Sequence, residues 1–166
     1  MINNRNDIPK LFENLNIKIG AELGVAAGAY SKKLNEAHSF DKFFCIDKWN
    51  DHHNLSEKKK VENAFKDKSN IIIMHCTFSE ALINFEDNFF DFIYIDGYAH
   101  TGQDDGKTLK QWFPKLRKGG MFAGHDYDEK RWPKTFLNVN EFLKNQLGYE
   151  INFTKEKTDP SWYIIK

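Results

Sequence analysis

The chain has 166 residues, a length that fits one domain able to bury most of the surface that its unfolded form exposes. Its 24 Lys and Arg residues balance 24 Asp and Glu residues, which argues against a dedicated nucleic-acid or anionic-membrane binder. Hydrophobic residues make up 40% of the chain and aromatic residues 15%, which excludes a disordered chain. We therefore expect a single domain over residues 1–166, in which about residues 1–16 form an N-terminal helix or arm.

Short β-rich runs then alternate with helical patterns, as in a parallel sheet covered by helices on both faces. The predicted strands in chain order are residues 17–23, 43–47, 71–76, 90–96 and 120–125. The predicted helices between them are residues 30–37, 55–65, 79–85 and 106–116. The interior strands are nearly continuous apolar runs, as expected for strands covered on two sides.

The last part of the chain departs from this alternation. A longer helical pattern over about residues 135–147 is followed by Gly148, a favourable residue just past a helix end. Two further β-rich runs, 149–154 and 161–165, flank a turn that contains Asp159-Pro160. We expect these runs to pair as an antiparallel hairpin, which distinguishes the chain from an all-parallel dinucleotide fold.

Cellular location is inferred from what the sequence lacks. No apolar run approaches the ~20 residues of a membrane-spanning helix, and residues 1–7 lack the apolar centre of a secretory signal. Cys45 and Cys76 lie in apolar runs without the spacing of metal ligands, so we expect two reduced thiols. The sequence thus predicts a soluble, cytoplasmic protein that binds neither nucleic acid nor membrane, and it leaves a homodimer open.

A glycine turn follows the first predicted strand. Gly24 permits a sharp bend, and Gly28 lets the helix start approach a ligand closely, because glycine has no Cβ. Amides at a helix start can also bind an anionic group. The Gly-x-x-x-Gly spacing differs from the Gly-x-Gly-x-x-Gly of a dinucleotide site. A tight turn without a ligand is the alternative interpretation.

Asp47 ends the second predicted strand, 19 residues after Gly28. An acidic residue at an offset of ~20 residues accepts hydrogen bonds from ribose hydroxyls in nucleotide-binding sheets. The two features together predict a nucleoside-containing cofactor at the carboxyl edge of the sheet. The alternative for Asp47 is a helix cap or turn residue.

In this order, the motifs resemble those of class I S-adenosylmethionine-dependent methyltransferases, especially the branch of catechol and macrolide-sugar O-methyltransferases. The likeness rests on Glu-x-Gly-x-x-x-Gly at 22–28, Asp47, Phe-Ile-Tyr-Ile-Asp-Gly at 92–97, Lys-Gly-Gly at 118–120 and Gly-His-Asp-Tyr at 124–127. It continues through residues 161–165 and so covers nearly the whole chain. It implies a Rossmann-like α/β fold with a mostly parallel seven-stranded sheet, an antiparallel last strand and helices on both faces.

The resemblance also implies S-adenosylmethionine as cofactor and assigns residues to it. Those along its methionine part and carboxylate would be Glu22, Gly24, Gly28, Tyr30 and Ser31. Those near its ribose, its adenine and the transferred methyl would be Asp47, Thr77, Phe78 and Asp96. Trp49 is expected either to add an apolar wall or to be a core or surface tryptophan.

Asp96 and Asp126 end strands that we expect to be neighbours, about 4.8 Å apart. Two such carboxylates can share Mg²⁺ or a similar cation with water and substrate oxygens. These positions look like cation ligands in metal-using relatives, although here Tyr127 stands where a third ligand is often found. The third ligand would then be water, His125, His100 or Asp128. In the alternative interpretation, Asp96 contacts the cofactor and Asp126 caps a loop.

Histidines supply the candidate bases. His100, in the loop after Asp96, and His125 have ordinary pKa values near ~6.5, which suit removal of a proton from an acceptor hydroxyl. His52 and His53 either line an entrance or are simply solvated. We predict O-methylation of a small-molecule or saccharide hydroxyl, with catalysis by His100, His125 and Asp96 and with or without a divalent cation. The alternatives are an NAD(P)-dependent oxidoreductase and a non-catalytic cofactor-binding or assembly module.

Overall fold

The computed structural model describes residues 2–50, 53–96 and 104–166. Seven strands lie within these ranges. Their bounds are β1 (Ile19–Leu23), β2 (Lys42–Asp47), β3 (Ile71–His75), β4 (Phe90–Ile95), β5 (Leu116–Gly124), β6 (Asn152–Phe153) and β7 (Trp162–Ile165). They form one sheet in the order β3-β2-β1-β4-β5-β7-β6.

Strands β1 to β5 pair in parallel, whereas β7 runs antiparallel to both β5 and β6. The predicted Rossmann-like sheet, its seven strands and its antiparallel last strand are therefore confirmed. Strands β2 and β3 lie on one side of β1, and β4 and β5 lie on the other. The direction of winding reverses between β1 and β4, and open sheets of this kind bind ligands at such a switch point.

The helices cover the sheet between these strands. Their bounds are α1 (Ala29–Ala37), α2 (Leu55–Phe65), α3 (Phe78–Ala81), α4 (Lys107–Trp112) and α5 (Pro133–Val139). Short 3-10 segments follow α3 (Leu82–Asn84) and α4 (Phe113–Lys115), and a π-helix (Asn140–Gln146) continues α5. Gly148 lies just past this last helix with φ +77°, as its predicted capping position requires.

The largest departure from the predicted boundaries lies around β5. The predicted helix 106–116 ends at Trp112, because Pro114 has no N–H to continue it, and Leu116 already belongs to the strand. Gly119 and Gly120 were expected at the strand's start but lie inside it. Gly119 has φ +75°, and the register between β4 and β5 shifts nearby, as at a β-bulge.

Alternate residues of β2 pack on opposite faces of the sheet. Phe44 and Ile46 belong to one buried cluster, and Phe43 and Cys45 belong to the other. Both faces are thus covered, as the apolar runs predicted. Cys45 and Cys76 are free thiols, as predicted.

The N-terminal segment forms a 3-10 helix over Arg5–Asn14, capped by the side chain of Asn4, which accepts a hydrogen bond from Asn6 N at 2.9 Å. Ile8 and Phe12 are fully buried. The ring of Phe12 lies 4.8 Å from that of Phe92 in β4, measured between centroids. This contact packs the N-terminal helix against β4 of the sheet.

Within residues 2–50, 53–96 and 104–166, no helix has both the length and the apolar composition needed to cross a membrane.

Candidate functional site

The carboxyl ends of four parallel strands meet at one edge of the sheet. Leu23 of β1 pairs with Ile46 of β2 and with Ile95 of β4, and Ile95 pairs with Gly124 of β5. Backbone hydrogen bonds continue past these pairs, from Asp96 N to Leu23 O at 2.8 Å and from His125 N to Ile95 O at 3.0 Å. The sheet itself therefore places the residues that follow each strand side by side.

A cavity of about 240 Å³ opens at this edge. The predicted cofactor residues that line it are Gly24, Asp47, Thr77, Phe78 and Asp96. Lys48, Lys107 and His53 also line it, and His53 Nδ1 lies 2.7 Å from Glu57 Oε2. His53 thus lies at the opening, one of the two positions expected for it. The predicted base His100 and His52 lie outside the described residues.

Asp47 joins the glycine turn to the end of β2. Its Oδ2 accepts hydrogen bonds from Val25 N at 2.8 Å and Ala26 N at 2.9 Å, and its Oδ1 accepts one from Trp49 N at 3.0 Å. The turn needs Gly24, whose φ is +92°, a backbone conformation that glycine adopts without strain. Asp47 thus stabilises the turn, which is the alternative considered for it, and its contact with ribose stays a prediction.

Gly28 has a structural reason to be glycine that the sequence did not reveal. It caps α1 with φ +81°, and a Cβ on it would lie 3.0 Å from Cγ2 of Val61 in α2. It does not line the cavity. The close approach predicted at Gly28 is therefore an approach of helix α2, and its contact with the cofactor stays a prediction.

Glu22, Tyr30 and Ser31 have partners inside the protein. The Ser31 hydroxyl donates to Oε2 of the Glu22 carboxyl group, and both side chains are fully buried. Burial raises the pKa of Glu22 to about 8, against the opposing effect of the Ser31 hydrogen bond. The Tyr30 hydroxyl donates to Arg5 O at 2.9 Å. None of the three lines the cavity, so their predicted cofactor contacts stay predictions.

Trp49 and Thr77 also have structural roles. Trp49 belongs to the buried core, one of the alternatives considered for it, and its indole N–H donates to Ala26 O at 2.8 Å. Thr77 caps α3: its backbone N–H donates to Glu80 Oε2 at 2.8 Å, and Glu80 N donates to Thr77 Oγ1 at 3.2 Å. Phe78 begins the same helix, is partly buried against the core and also lines the cavity.

Asp96, His125 and Asp126 form a compact cluster beside the cavity. Each offers one ligand atom, and these atoms lie within 4.8 Å of one another. His125 Nδ1 is 2.9 Å from Asp126 Oδ1 and 3.5 Å from Asp96 Oδ1. Burial lowers the pKa of His125, but the hydrogen bond to Asp126 and the charges of both aspartates outweigh it, so the pKa is raised. The strand ends thus bring these three predicted residues together.

Arg5 also reaches the cluster, and the sequence analysis assigned it no role. Its guanidinium Nη1 donates to Asp96 Oδ2 at 2.6 Å, across 91 residues of sequence. No motif signals such a pair, because it depends on how the N-terminal helix packs on the sheet.

Comparisons with known proteins agree with this architecture. A family model described as a methyltransferase domain matches residues 17–127, which is more than half of the chain. The chain therefore belongs to this methyltransferase family, and the predicted likeness to class I methyltransferases is confirmed. A search of curated protein sequences finds no significant match.

Solved structures share the fold. A protein assigned as a caffeoyl-CoA O-methyltransferase from Staphylococcus aureus is 20% identical with TM-score 0.72, covering 96% of this chain and 81% of that one. An O-methyltransferase from Bacillus cereus, solved with S-adenosylhomocysteine, is 12% identical with TM-score 0.70, covering 97% and 80%. Spermidine synthase from Thermotoga maritima is 16% identical with TM-score 0.71, covering 96% of this chain and 58% of its own. At these identities the likeness establishes the fold.

Proposed function

We propose that this chain transfers the methyl group of S-adenosylmethionine to a hydroxyl oxygen of a small molecule or saccharide. The observation that carries the proposal is the cavity, because Gly24, Asp47, Phe78 and Asp96 reach it from the ends of four adjacent strands. Ligands of open α/β sheets bind at such an edge. The O-methyltransferases among the structural neighbours support oxygen as the acceptor atom.

The side chains that line the cavity fit a nucleoside. Asp47 accepts three backbone hydrogen bonds, and a carboxylate offers about four acceptor positions, so a ribose hydroxyl can take a remaining one. The ring of Phe78 offers an apolar surface for adenine beside Thr77. Gly24 and Ala26 also line the cavity, and Asp47 holds this turn through the hydrogen bonds that it accepts from Val25 N and Ala26 N.

When bound, S-adenosylmethionine supplies a methyl group on a positively charged sulfur, and the carbon–sulfur bond breaks as the acceptor oxygen bonds to the methyl carbon. We assign removal of the hydroxyl proton to His125. Its Nδ1 faces Asp126 at 2.9 Å, which favours a proton on Nδ1 and leaves the lone pair on Nε2 to take the proton from the acceptor. Asp126 is nearly fully buried and orients the ring.

Calorimetry with S-adenosylhomocysteine tests the donor site. We expect one equivalent to bind the wild-type chain, whereas NADH gives no binding heat. Asp47→Asn should weaken binding at least tenfold, about 1.4 kcal/mol, because it removes the charge that ribose hydroxyls contact. Binding of NADH, or no binding of S-adenosylhomocysteine, would overturn the proposal.

Asp41→Asn is the matched control for Asp47→Asn. Asp41 is an exposed carboxylate just before the opposite end of the same strand, far from the cavity. It should leave the affinity unchanged. Since Asp47 also holds the turn, melting temperatures of both variants are measured alongside, and Phe78→Ala provides a second cavity variant that leaves the turn intact. Equal affinity for the wild type, Asp47→Asn and Phe78→Ala would contradict the assigned position of the donor.

A further inference from the structure

Arg5 is held at both its backbone and its side chain. The hydroxyl of Tyr30 donates to the Arg5 carbonyl oxygen at 2.9 Å, and the guanidinium carbon lies 4.7 Å from the centre of the Tyr30 ring. At its end, Nη1 donates to Asp96 Oδ2 at 2.6 Å. Less than a third of the Arg5 side chain and a fifth of the Asp96 side chain are exposed. This geometry is that of a partly buried, charge-assisted hydrogen bond.

The helix that carries Arg5 is itself fixed to the fold. Ile8 and Phe12 of the same helix are fully buried, and Asn4 caps its first turn. The position of the guanidinium beside the cluster therefore follows from how this helix packs on the sheet. Burial would lower the pKa of Arg5, but the neighbouring Tyr94, Asp96 and Glu22 raise it, so its charge persists at every pH at which the protein is folded.

This positive charge competes with any divalent cation for Asp96. A cation bound by Asp96, His125 and Asp126 must take a carboxylate to which Arg5 is already hydrogen-bonded, and it must lie close to the guanidinium. Two cations within a few ångströms repel strongly in a partly buried site. The three ligand atoms alone fit a hard divalent cation, but with Arg5 in place the full set of residues does not.

We propose that Arg5 is a positioning residue that supplies the fixed cation of this cluster, so that Asp96, His125 and Asp126 hold no divalent metal ion. Arg5 holds the Asp96 carboxylate in place through the hydrogen bond from Nη1 to Oδ2, and Asp96 Oδ1 lies 3.5 Å from His125 Nδ1. The inference rests on the proposed function, which places this cluster at the methyl-transfer site. The competition between Arg5 and a divalent cation for Asp96 can nevertheless be measured without turnover.

Titration with Mn²⁺, followed by electron paramagnetic resonance, tests the competition. The wild-type chain should bind no Mn²⁺ at this cluster at submillimolar concentrations. Arg5→Gln keeps part of the aliphatic stem and removes the charge, and it should gain one Mn²⁺ site at least tenfold tighter than anything in the wild type. Adding Asp126→Asn to Arg5→Gln should abolish that gain.

Two control variants separate the effect of the charge at position 5 from other effects of substitution in this helix. Lys10→Gln removes a positive charge from the same helix, where Lys10 Nζ pairs with Asp7 at 2.6 Å, and it should behave as the wild type does. Arg5→Lys keeps a charge near Asp96 and should still exclude Mn²⁺, which a merely structural role of Arg5 would not predict.

The inference is overturned if the wild-type chain binds one equivalent of Mn²⁺ and Asp126→Asn abolishes this binding. This outcome can be observed even if no Arg5 variant folds. It is also overturned if folded Arg5→Gln gains no site. S-adenosylhomocysteine calorimetry on the same samples keeps the two proposals distinct. If the chain binds S-adenosylhomocysteine and also shows an unexpected Mn²⁺ site, only the role of Arg5 is contradicted. If the chain does not bind S-adenosylhomocysteine, the proposed function is contradicted whatever the Mn²⁺ titration shows.

Discussion

The Cβ position of Gly28 lies 3.0 Å from Cγ2 of Val61, so the start of α1 and the face of α2 meet where no side chain fits. The same residue has φ +81°, a conformation that costs an L-residue about 1–2 kcal/mol. Sequence inspection assigned this glycine to a ligand. The structure shows a packing reason for this glycine where the two helices meet, and its contact with the cofactor stays a prediction.

Gly28→Ala should therefore lower the free energy of unfolding by about 2 kcal/mol, from backbone strain and from the contact with Val61. Urea denaturation measures the change. In a Val61→Ala background the contact is relieved, so Gly28→Ala should cost less there, by at least about 0.5 kcal/mol. Equal costs in both backgrounds would show that the contact contributes nothing.

Glu22 should make stability fall as pH rises. Its pKa in the folded chain is about 8, above the ordinary 4.5, so between these values the folded state holds a proton that the unfolded state has lost. The free energy of unfolding should fall by about 1.4 kcal/mol per pH unit across this window from Glu22 alone. Glu22→Gln should flatten the profile, whereas Glu13→Gln, at an exposed position of the N-terminal helix, should not. A wild-type profile identical to that of Glu22→Gln would refute the assignment.

His125 should set the pH dependence of methyl transfer. Its pKa lies above the ordinary 6.5 because Asp96 and Asp126 outweigh burial and the nearby Arg5, so the neutral, basic form accumulates only at higher pH. The rate, followed as S-adenosylhomocysteine release across a panel of phenolic and saccharide acceptors, should rise through that pKa. Asp126→Asn should move the midpoint to lower pH. His125→Gln should lower kcat at least ~100-fold while donor affinity stays unchanged. An unshifted midpoint in Asp126→Asn would argue for a different base.

Asp91 should contribute to the free energy of unfolding but not to binding of the donor. At the amino end of β4 it accepts hydrogen bonds from Lys18 N at 2.8 Å and Ile19 N at 2.7 Å, and it pairs with Arg117. Asp91→Ala leaves the partly buried Ile19 N–H unsatisfied and removes the carboxylate that pairs with Arg117, so it should cost about 2–4 kcal/mol of unfolding free energy. The opposite edge of the sheet holds the cavity, so affinity for S-adenosylhomocysteine should persist in the folded variant. A large loss of donor affinity without a loss of stability would contradict this division.

The sequence predicted what depends on strand order. Asp47, Asp96, His125 and Asp126 were identified because each ends or follows a β-rich run, and the carboxyl ends of parallel strands share one edge. The structure brings Asp96, His125 and Asp126 together for that reason. The seven strands and the antiparallel last strand were expected through the family resemblance and the terminal hairpin, whereas the full strand order was not predicted.

What the sequence could not predict depends on tertiary packing. A close ligand and a closely packed helix both require a residue without a Cβ. The turn alone therefore could not show which of the two Gly28 serves. Trp49 fits a cavity wall or the core equally well by composition, and only its burial decides. Arg5 meets Asp96 through the packing of Ile8 and Phe12, which no spacing rule encodes.

A crystal structure of the chain with S-adenosylhomocysteine tests the donor site most directly. The account predicts the nucleoside in the cavity at the carboxyl ends of β1 to β4, with a ribose hydroxyl within hydrogen-bonding distance of the Asp47 carboxylate. A ligand bound elsewhere on the chain, or a ribose turned away from Asp47, would contradict it.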